Sequence, residues 1–301
     1  MPDIKGPADI TLTYRSAVDN TEQPYRVYLP SAYDGAKALP LLVALHGTGG
    51  TQDTYFDSPE YANGSTKTEA EKRGVIVVCP HGRGTTEYRG IGENDVLTVI
   101  DEVIRQFAVD PDRIVCSGQS MGGTGTTYLC SRYPDLFAGG APMASGYGHV
   151  NLLSNLRNVP MFYIQGANDW PIYAQEGPER ITARLRELGS ACEYWVVPDQ
   201  PHNTMAVSTE RLLDWAVRQR RVQNPERITH SAYLPIHGRA YWLDILAPRE
   251  VGRRFGVDAQ RREGGVIDVT SHNLQACTIY PSLADTAPGA RVCLVLDGQV
   301  V

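Results

Sequence analysis

The sequence has no run of about 18 apolar residues, so it offers no candidate transmembrane helix. Residues 1–9 lack the basic start and apolar stretch of a secretion signal. A soluble chain is expected, with the cytosol and an exported form that has lost its signal left equally open. Positive charge is not in excess: 28 Lys and Arg face 34 Asp and Glu, a formal net charge of −6. Residues 222–301 balance eight Arg against eight acidic side chains, so the negative excess lies before them. Nucleic acid and membrane surfaces are therefore not expected partners. There is no Cys-x-x-Cys, no His-x-x-x-His, and no spaced carboxylate cluster, and neither a Gly-x-Gly-x-x-Gly nor a Walker loop. No metal or cofactor is expected. Six scattered cysteines (Cys79, Cys116, Cys130, Cys192, Cys277, Cys293) read as buried thiols, with a Cys277 to Cys293 bridge left open.

What is present centres on residues 113–126. Ile114, Val115 and Cys116 form a short apolar run that leads directly into Gly118-Gln119-Ser120-Met121-Gly122, the G-x-S-x-G of a nucleophile elbow. Such a turn is sharp, and a Cβ two residues before or after the serine would collide with neighbouring backbone. The following residues read as a helix stopped by Pro134, which places Ser120 at a helix N-terminus, favourable to a developing oxyanion. Alone, the pentapeptide is also compatible with a Gly-rich turn holding an incidental serine.

The rest of the first 221 residues alternates strand and helix. Segments 11–17 and 25–30 suit an entry hairpin, and the unbroken apolar run 39–45 suits a strand buried on both faces. Further strands are expected at 74–80, 137–143, 160–165 and 193–197, with helices at 94–109 (capped by Asn94 or Asp95), 178–188 and 204–221. A mostly parallel sheet covered on both faces follows, with the site at the carboxyl ends of its strands. After residue 222 only strand-like segments remain, separated by Pro, Gly and polar turns, which suggests a small β-sandwich. The expected division is 1–221 and 222–301. The short linker lacks a Gly/Ser-rich stretch, so the second part is expected to pack on the first.

A serine hydroxyl needs a histidine base and a carboxylate behind it. Asp169 stands just past the strand at 160–165, and His202 just past the strand at 193–197, both at carboxyl ends. His81 and His149 compete for the base; Asp199 is too near His202 along the chain to reach it from a separate loop, and Asp135 lies beyond the elbow helix. The loop His46-Gly47-Thr48-Gly49-Gly50 after the strand at 39–45 resembles the loop after the third strand of an α/β hydrolase, and that resemblance implies the Thr48 amide as an oxyanion donor beside that of Met121. Tyr147, Trp170 and Tyr173 are candidates for an aromatic acyl-binding wall, though core packing is an equal reading. Gln119 and His81 are candidates for the same pocket.

Taken together, Leu45-His-Gly-Thr-Gly-Gly, Val109-Asp-Pro-Asp-Arg-Ile, Gly118-Gln-Ser-Met-Gly-Gly, Tyr133-Pro-Asp-Leu-Phe-Ala, Gly166-Ala-Asn-Asp and Pro201-His-Asn resemble the α/β-hydrolase esterases grouped with feruloyl esterases, acetyl xylan esterases and polyhydroxybutyrate depolymerases. The resemblance spans about residues 11–221 and implies an α/β-hydrolase fold and serine ester hydrolysis through an acyl-enzyme, on a small or polymeric ester. A related group of peptidases shares the triad, and a non-catalytic binding protein on the same scaffold is the third reading. No family is carried over to the β-rich tail, which remains a candidate for assembly into a homo-oligomer.

Overall fold

The computed structural model describes residues 4–146, 150–280 and 293–300. An eight-stranded sheet runs in the order β1-β2-β4-β3-β5-β6-β7-β8, comprising β1 (Ala8–Arg15), β2 (Glu22–Leu29), β3 (Leu39–Leu45), β4 (Ile76–Pro80), β5 (Val109–Gln119), β6 (Gly139–Met143), β7 (Met161–Gly166) and β8 (Cys192–Val197). The β1/β2 and β2/β4 pairs are antiparallel and all others parallel. β3 is buried at every position because its side chains alternate between two cores: Leu41, Val43 and Leu45 join one, Leu42 and Ala44 the other.

The helices are α1 (Thr54–Asp57), α2 (Ser65–Arg73), α3 (Ile91–Gln106), α4 (Met121–Arg132), α5 (Pro171–Ala174), α6 (Arg180–Glu187) and α7 (Met205–Ala216). Val96, Val99, Ile100 and Val103 of α3 join Leu129 of α4 and Leu185 of α6 in one core; Ala70 of α2 and Leu213 and Trp215 of α7 close the other. α3 begins three residues earlier than the sequence suggests. Its N-cap is Gly90, and Asp95, expected as a cap, is instead a buried helical residue that accepts from Tyr14 Oη and from Gly82 N–H at 2.7 Å. α6 starts after Pro178, and α7 ends at Ala216, short of residue 221. α2 has a weakly amphipathic, highly polar sequence and is not legible as a helix from its apolar spacing.

Beyond residue 222 lie β9 (Arg227–Ala232), β10 (Arg239–Ala240), β11 (Leu243–Pro248), β12 (Phe255–Arg262), β13 (Val266–His272), β14 (Leu274–Ile279), β15 (Cys293–Leu296) and β16 (Gln299–Val300). They form a five-stranded sheet, β16-β15-β13-β12-β9, and a three-stranded sheet, β10-β11-β14. Ile228, Phe255, Val257 and Ile267 of the first share a core with Leu243, Ile245 and Leu274 of the second, around the fully buried Trp242. Cys277 and Cys293 stand on different sheets and are free thiols, so the bridge left open by the sequence does not form.

This region packs directly on the larger sheet's helices and loops. Asn155 exchanges two hydrogen bonds with the Ser231 backbone, at 2.8 and 2.9 Å, and Arg157 Nε donates to Thr229 Oγ1 at 2.9 Å. Tyr241 Oη donates to Pro134 O at 2.7 Å, and its N–H donates to Asp135 Oδ2. Asp135, set aside as the acid because it lies beyond the elbow helix, is engaged at this junction. Among the described residues, no helix is long and apolar enough to cross a membrane, and no group of three or more His, Cys, Asp or Glu could hold a metal ion.

Candidate active site

β5 ends where α4 begins, and Ser120 occupies the corner with φ 59° and ψ −116°. A non-glycine residue held in such a conformation costs about 1–3 kcal/mol, so the surroundings must impose it. Ser120 N–H donates to Met143 O on β6 at 2.9 Å. The flanking glycines are obligatory: a Cβ on Gly122 would lie 1.9 Å from Leu45 O, and one on Gly118 would lie 2.4 Å from the Gly122 carbonyl.

His202 bridges Ser120 and Asp169. Its Nδ1 lies 2.8 Å from Asp169 Oδ2 and 3.0 Å from Oδ1, and its Nε2 lies 2.9 Å from Ser120 Oγ. A carboxylate can only accept, so the Nδ1 proton is fixed toward Asp169 and Nε2 presents its lone pair to the serine O–H. The Asp169 side chain is fully enclosed. Trp170 N–H donates to its Oδ1 at 2.7 Å, and Gln165 Nε2 donates to Oδ2. Such enclosure is tolerable because each carboxylate oxygen has partners.

The two loops carrying acid and base are tied together. Ala167 N–H donates to Val197 O at 2.9 Å and Asn168 N–H to Gln200 O at 2.8 Å. Gly166 allows this closeness, since a Cβ there would sit 2.0 Å from Pro201 O. Gln119 lines a cavity beside Ser120 and His202, and its Nε2 donates to His202 O at 2.6 Å, holding the base loop.

The remaining sequence candidates separate. Thr48 and Met121 line one cavity with Ser120, and Tyr173 lines it too. Trp170 is 60% exposed, and its ring stands 5.2 Å from that of His202 and 5.5 Å from that of Tyr173, so it is surface over the histidine and not core. His81 lines neither cavity beside Ser120; its carbonyl faces His46 Nε2 at 2.9 Å, and burial foremost lowers its own pKa. Tyr147 and His149 lie outside the described residues.

Two cavities flank Ser120. One, of about 420 Å³, includes Thr85, Glu87, Arg89, Thr124 and Gly146; the other, of about 520 Å³, includes Tyr61, Ala62, Gln119, His202 and Asn203. Three functional neighbours escape sequence reasoning. Tyr61 sits in a turn with left-handed Ala62 and Asn63 beside it, and its hydroxyl, pushed up to about 12 by burial, accepts the Gly47 N–H at 2.7 Å. Tyr88 Oη donates to His46 O at 2.9 Å, steadying the same loop. Gln165 had a readable signal, a polar side chain next to the end of a buried strand and four residues before the acid.

An eight-stranded sheet in this order, with a serine elbow after β5 and histidine and acid on loops after β8 and β7, is the α/β-hydrolase fold. Solved structures agree: a ferulic acid esterase matches at TM-score 0.60 and 20% identity, covering 70% of this chain and 97% of that one. A ferulic acid esterase from Anaeromyces mucronatus matches at TM-score 0.58 and 16% identity, over 73% of this chain and 93% of that one. The prolyl oligopeptidase family model matches residues 64–155. Among curated proteins, the chain is 34% identical to a bifunctional acetylxylan esterase/xylanase from Neocallimastix patriciarum over 48% of this chain and 21% of the relative. Identity is 28% to acetylxylan esterase A from Emericella nidulans, over 41% of this chain and 42% of the relative. It is 33% to a poly(3-hydroxyalkanoate) depolymerase from Paucimonas lemoignei, over 36% and 28%. The matches span less than half the length of each of these relatives, and the chain is similar to esterases of this group.

Proposed function

We propose that this protein is a serine carboxylic ester hydrolase in which Ser120, His202 and Asp169 form the catalytic triad. The observation that carries the reading is the unbroken chain of contacts from Ser120 Oγ through both ring nitrogens of His202 to the enclosed Asp169 carboxylate. Ser120 Oγ attacks the ester carbonyl carbon while its proton passes to Nε2, and the carbonyl π pair moves onto oxygen. Thr48 and Met121 amides receive that oxyanion. In support, both residues line the Ser120 cavity, and the neighbouring Gly47 N–H is already taken by Tyr61. The tetrahedral intermediate then expels the alkoxide, which takes the proton from Nε2, and water repeats the sequence on the acyl-enzyme.

The leaving oxygen must lie within reach of Nε2, so the cavity that includes His202 takes the alcohol and the one that lacks it takes the acyl group. Tyr173 then belongs to the acyl side, with the Trp170 ring 5.5 Å from its own. The names of the relatives favour acetyl, feruloyl or polyester esters as substrates. Residues 1–221 serve as the catalytic domain and 222–301 as a small β-sandwich accessory domain, a reading supported by the two sheets of the latter and their common core.

The match to the prolyl oligopeptidase model favours a second reading, a serine peptidase with the same triad. Turnover of p-nitrophenyl acyl esters and of peptide p-nitroanilides by the wild-type protein and Ser120→Ala decides between them. Ester turnover that falls by about 10⁴-fold or more in the variant, without anilide cleavage, is expected. A folded Ser120→Ala protein keeping a tenth of the ester activity would remove Ser120 from this role.

A further inference from the structure

The acyl-side cavity is walled by the loop 82–90, which contributes Thr85, Glu87 and Arg89. Six of its residues have positive φ: Gly82 (59°), Arg83 (59°), Gly84 (73°), Glu87 (53°), Tyr88 (56°) and Gly90 (55°). Three of these carry side chains, and each such residue costs about 1 kcal/mol or more, so the loop keeps its shape only where it is held. Its middle is held by Tyr88, fully buried between Gly82 and Gly125, where an added Cβ would come within 2.4 and 2.5 Å of its ring. Its start is held by Gly82 N–H on Asp95.

Its end runs into α3, and the first turn of α3 carries the buried Glu93. Tyr128 and Tyr133 hydroxyls donate to the two oxygens of that carboxylate, the former at 2.6 Å. The remaining donor comes from the β-rich region: His237 Nε2 lies 2.6 Å from Glu93 Oε1. His237 is itself held, its carbonyl accepting from the buried His230 Nε2 on β9 at 2.7 Å and its ring standing edge-on to Tyr133 at 5.8 Å. Arg89 pairs with Glu87 at 3.1 Å, and its guanidinium lies 5.6 Å from the ring of the same Tyr128 that binds Glu93. The cavity wall and the β-rich region therefore meet at one buried carboxylate.

We propose that His237 is a positioning residue through which the β-rich region sets acyl-group selection, by fixing Glu93 and with it the loop end that presents Glu87 and Arg89. This rests on the ester hydrolase reading and on the acyl assignment of that cavity. Removing the imidazole leaves a buried carboxylate one donor short, and a small displacement of a wall four residues away alters how a long acyl chain is seated. A two-carbon acyl group, which fills little of the cavity, is indifferent to that displacement.

The test uses the full chain with His237→Ala and with His237→Gln, whose amide can restore a donor near the Nε2 position. For p-nitrophenyl hexanoate, kcat/KM is expected to fall by about fivefold or more in His237→Ala, mainly through KM, while p-nitrophenyl acetate stays within about twofold and His237→Gln recovers the ratio. Hydrogen exchange at amides 82–93 should quicken in His237→Ala and not in His237→Gln, with β3 and β5 unchanged. An unaltered hexanoate-to-acetate ratio in the folded variant, or unaltered exchange at 82–93, overturns the proposal. Should His237→Ala fail to fold, Arg89→Gln is expected to lower the same ratio, and an unchanged ratio there counts equally against it. If the wild-type protein hydrolyses neither ester, the hydrolase reading fails and so does selection of an acyl group, whereas the exchange measurement still reports separately whether His237 holds the loop.

Discussion

Gln119 Nε2 donates to the main-chain oxygen of His202 at 2.6 Å, so the residue just before the candidate nucleophile holds the loop that carries the candidate base. Strand end and base loop are thereby set relative to each other independently of the serine's own hydrogen bond. Gln119→Leu keeps the volume and removes the donor. It is expected to lower kcat by roughly tenfold with KM within about twofold, because loosening the loop widens the range of Ser120 to His202 separations. Steady-state kinetics on p-nitrophenyl acetate, beside thermal unfolding, check this; an unchanged kcat would mean that the Ala167 and Asn168 backbone bonds suffice.

The elbow holds Ser120 in a strained backbone conformation, at φ 59° and ψ −116°. Ser120→Gly and Ser120→Ala should both be inactive, but the glycine variant should be the more stable by roughly 1 kcal/mol, since relief of the left-handed backbone outweighs glycine's greater freedom when unfolded. Denaturant titration of the two variants gives the difference directly. Gly122→Ala acts in the opposite direction: its Cβ meets Leu45 O at 1.9 Å, backbone against backbone, and a loss of more than about 3 kcal/mol or of soluble protein is expected.

Acid should weaken the junction in two overlapping windows. Burial foremost pushes the His230 pKa from 6.5 down to about 4. The unfolded chain binds that proton first, so stability falls as pH drops from about 6.5 to about 4. At Glu93 burial acts upward, but hydrogen bonds from His237, Tyr128 and Tyr133 outweigh it and bring the carboxyl from 4.5 to about 2. Its contribution is complete above pH 4.5 and is lost as pH falls toward 2. His230→Gln should flatten the upper window and leave the lower one, as measured by denaturant unfolding at about pH 7, 5 and 3.

Ending the chain after Arg221 removes Ser231, Thr229 and His237, and with them one or more hydrogen bonds from each of Asn155, Arg157 and Glu93. The shortened protein should unfold at least about 5 °C lower and lose solubility, because Asn155 and Glu93 are each left short of hydrogen-bond partners they have in the full chain. A truncated protein with the melting temperature of the full chain would show that the β-rich region adds nothing to the larger unit's stability.

The local chemistry of this protein is written in its sequence. Gly118 and Gly122 around Ser120 are legible because only the missing Cβ lets α4 approach β3, and the uniform apolar run of β3 because a two-faced strand has no polar side. Asp169 and His202 are legible as candidates by their order and their places after β7 and β8. Tertiary structure alone decided their distances, since residues 33 and 82 positions apart along the chain meet only through the sheet's crossover order. It alone decided that Asp95 would be buried against Tyr14 and not cap α3, a choice made by packing between distant elements and not by local propensity. The same holds for Tyr61 at Gly47 and His237 at Glu93, side chains with no motif around them. Hydrogen bonds across such separations depend on where whole elements settle, and spacing along a chain carries no record of that.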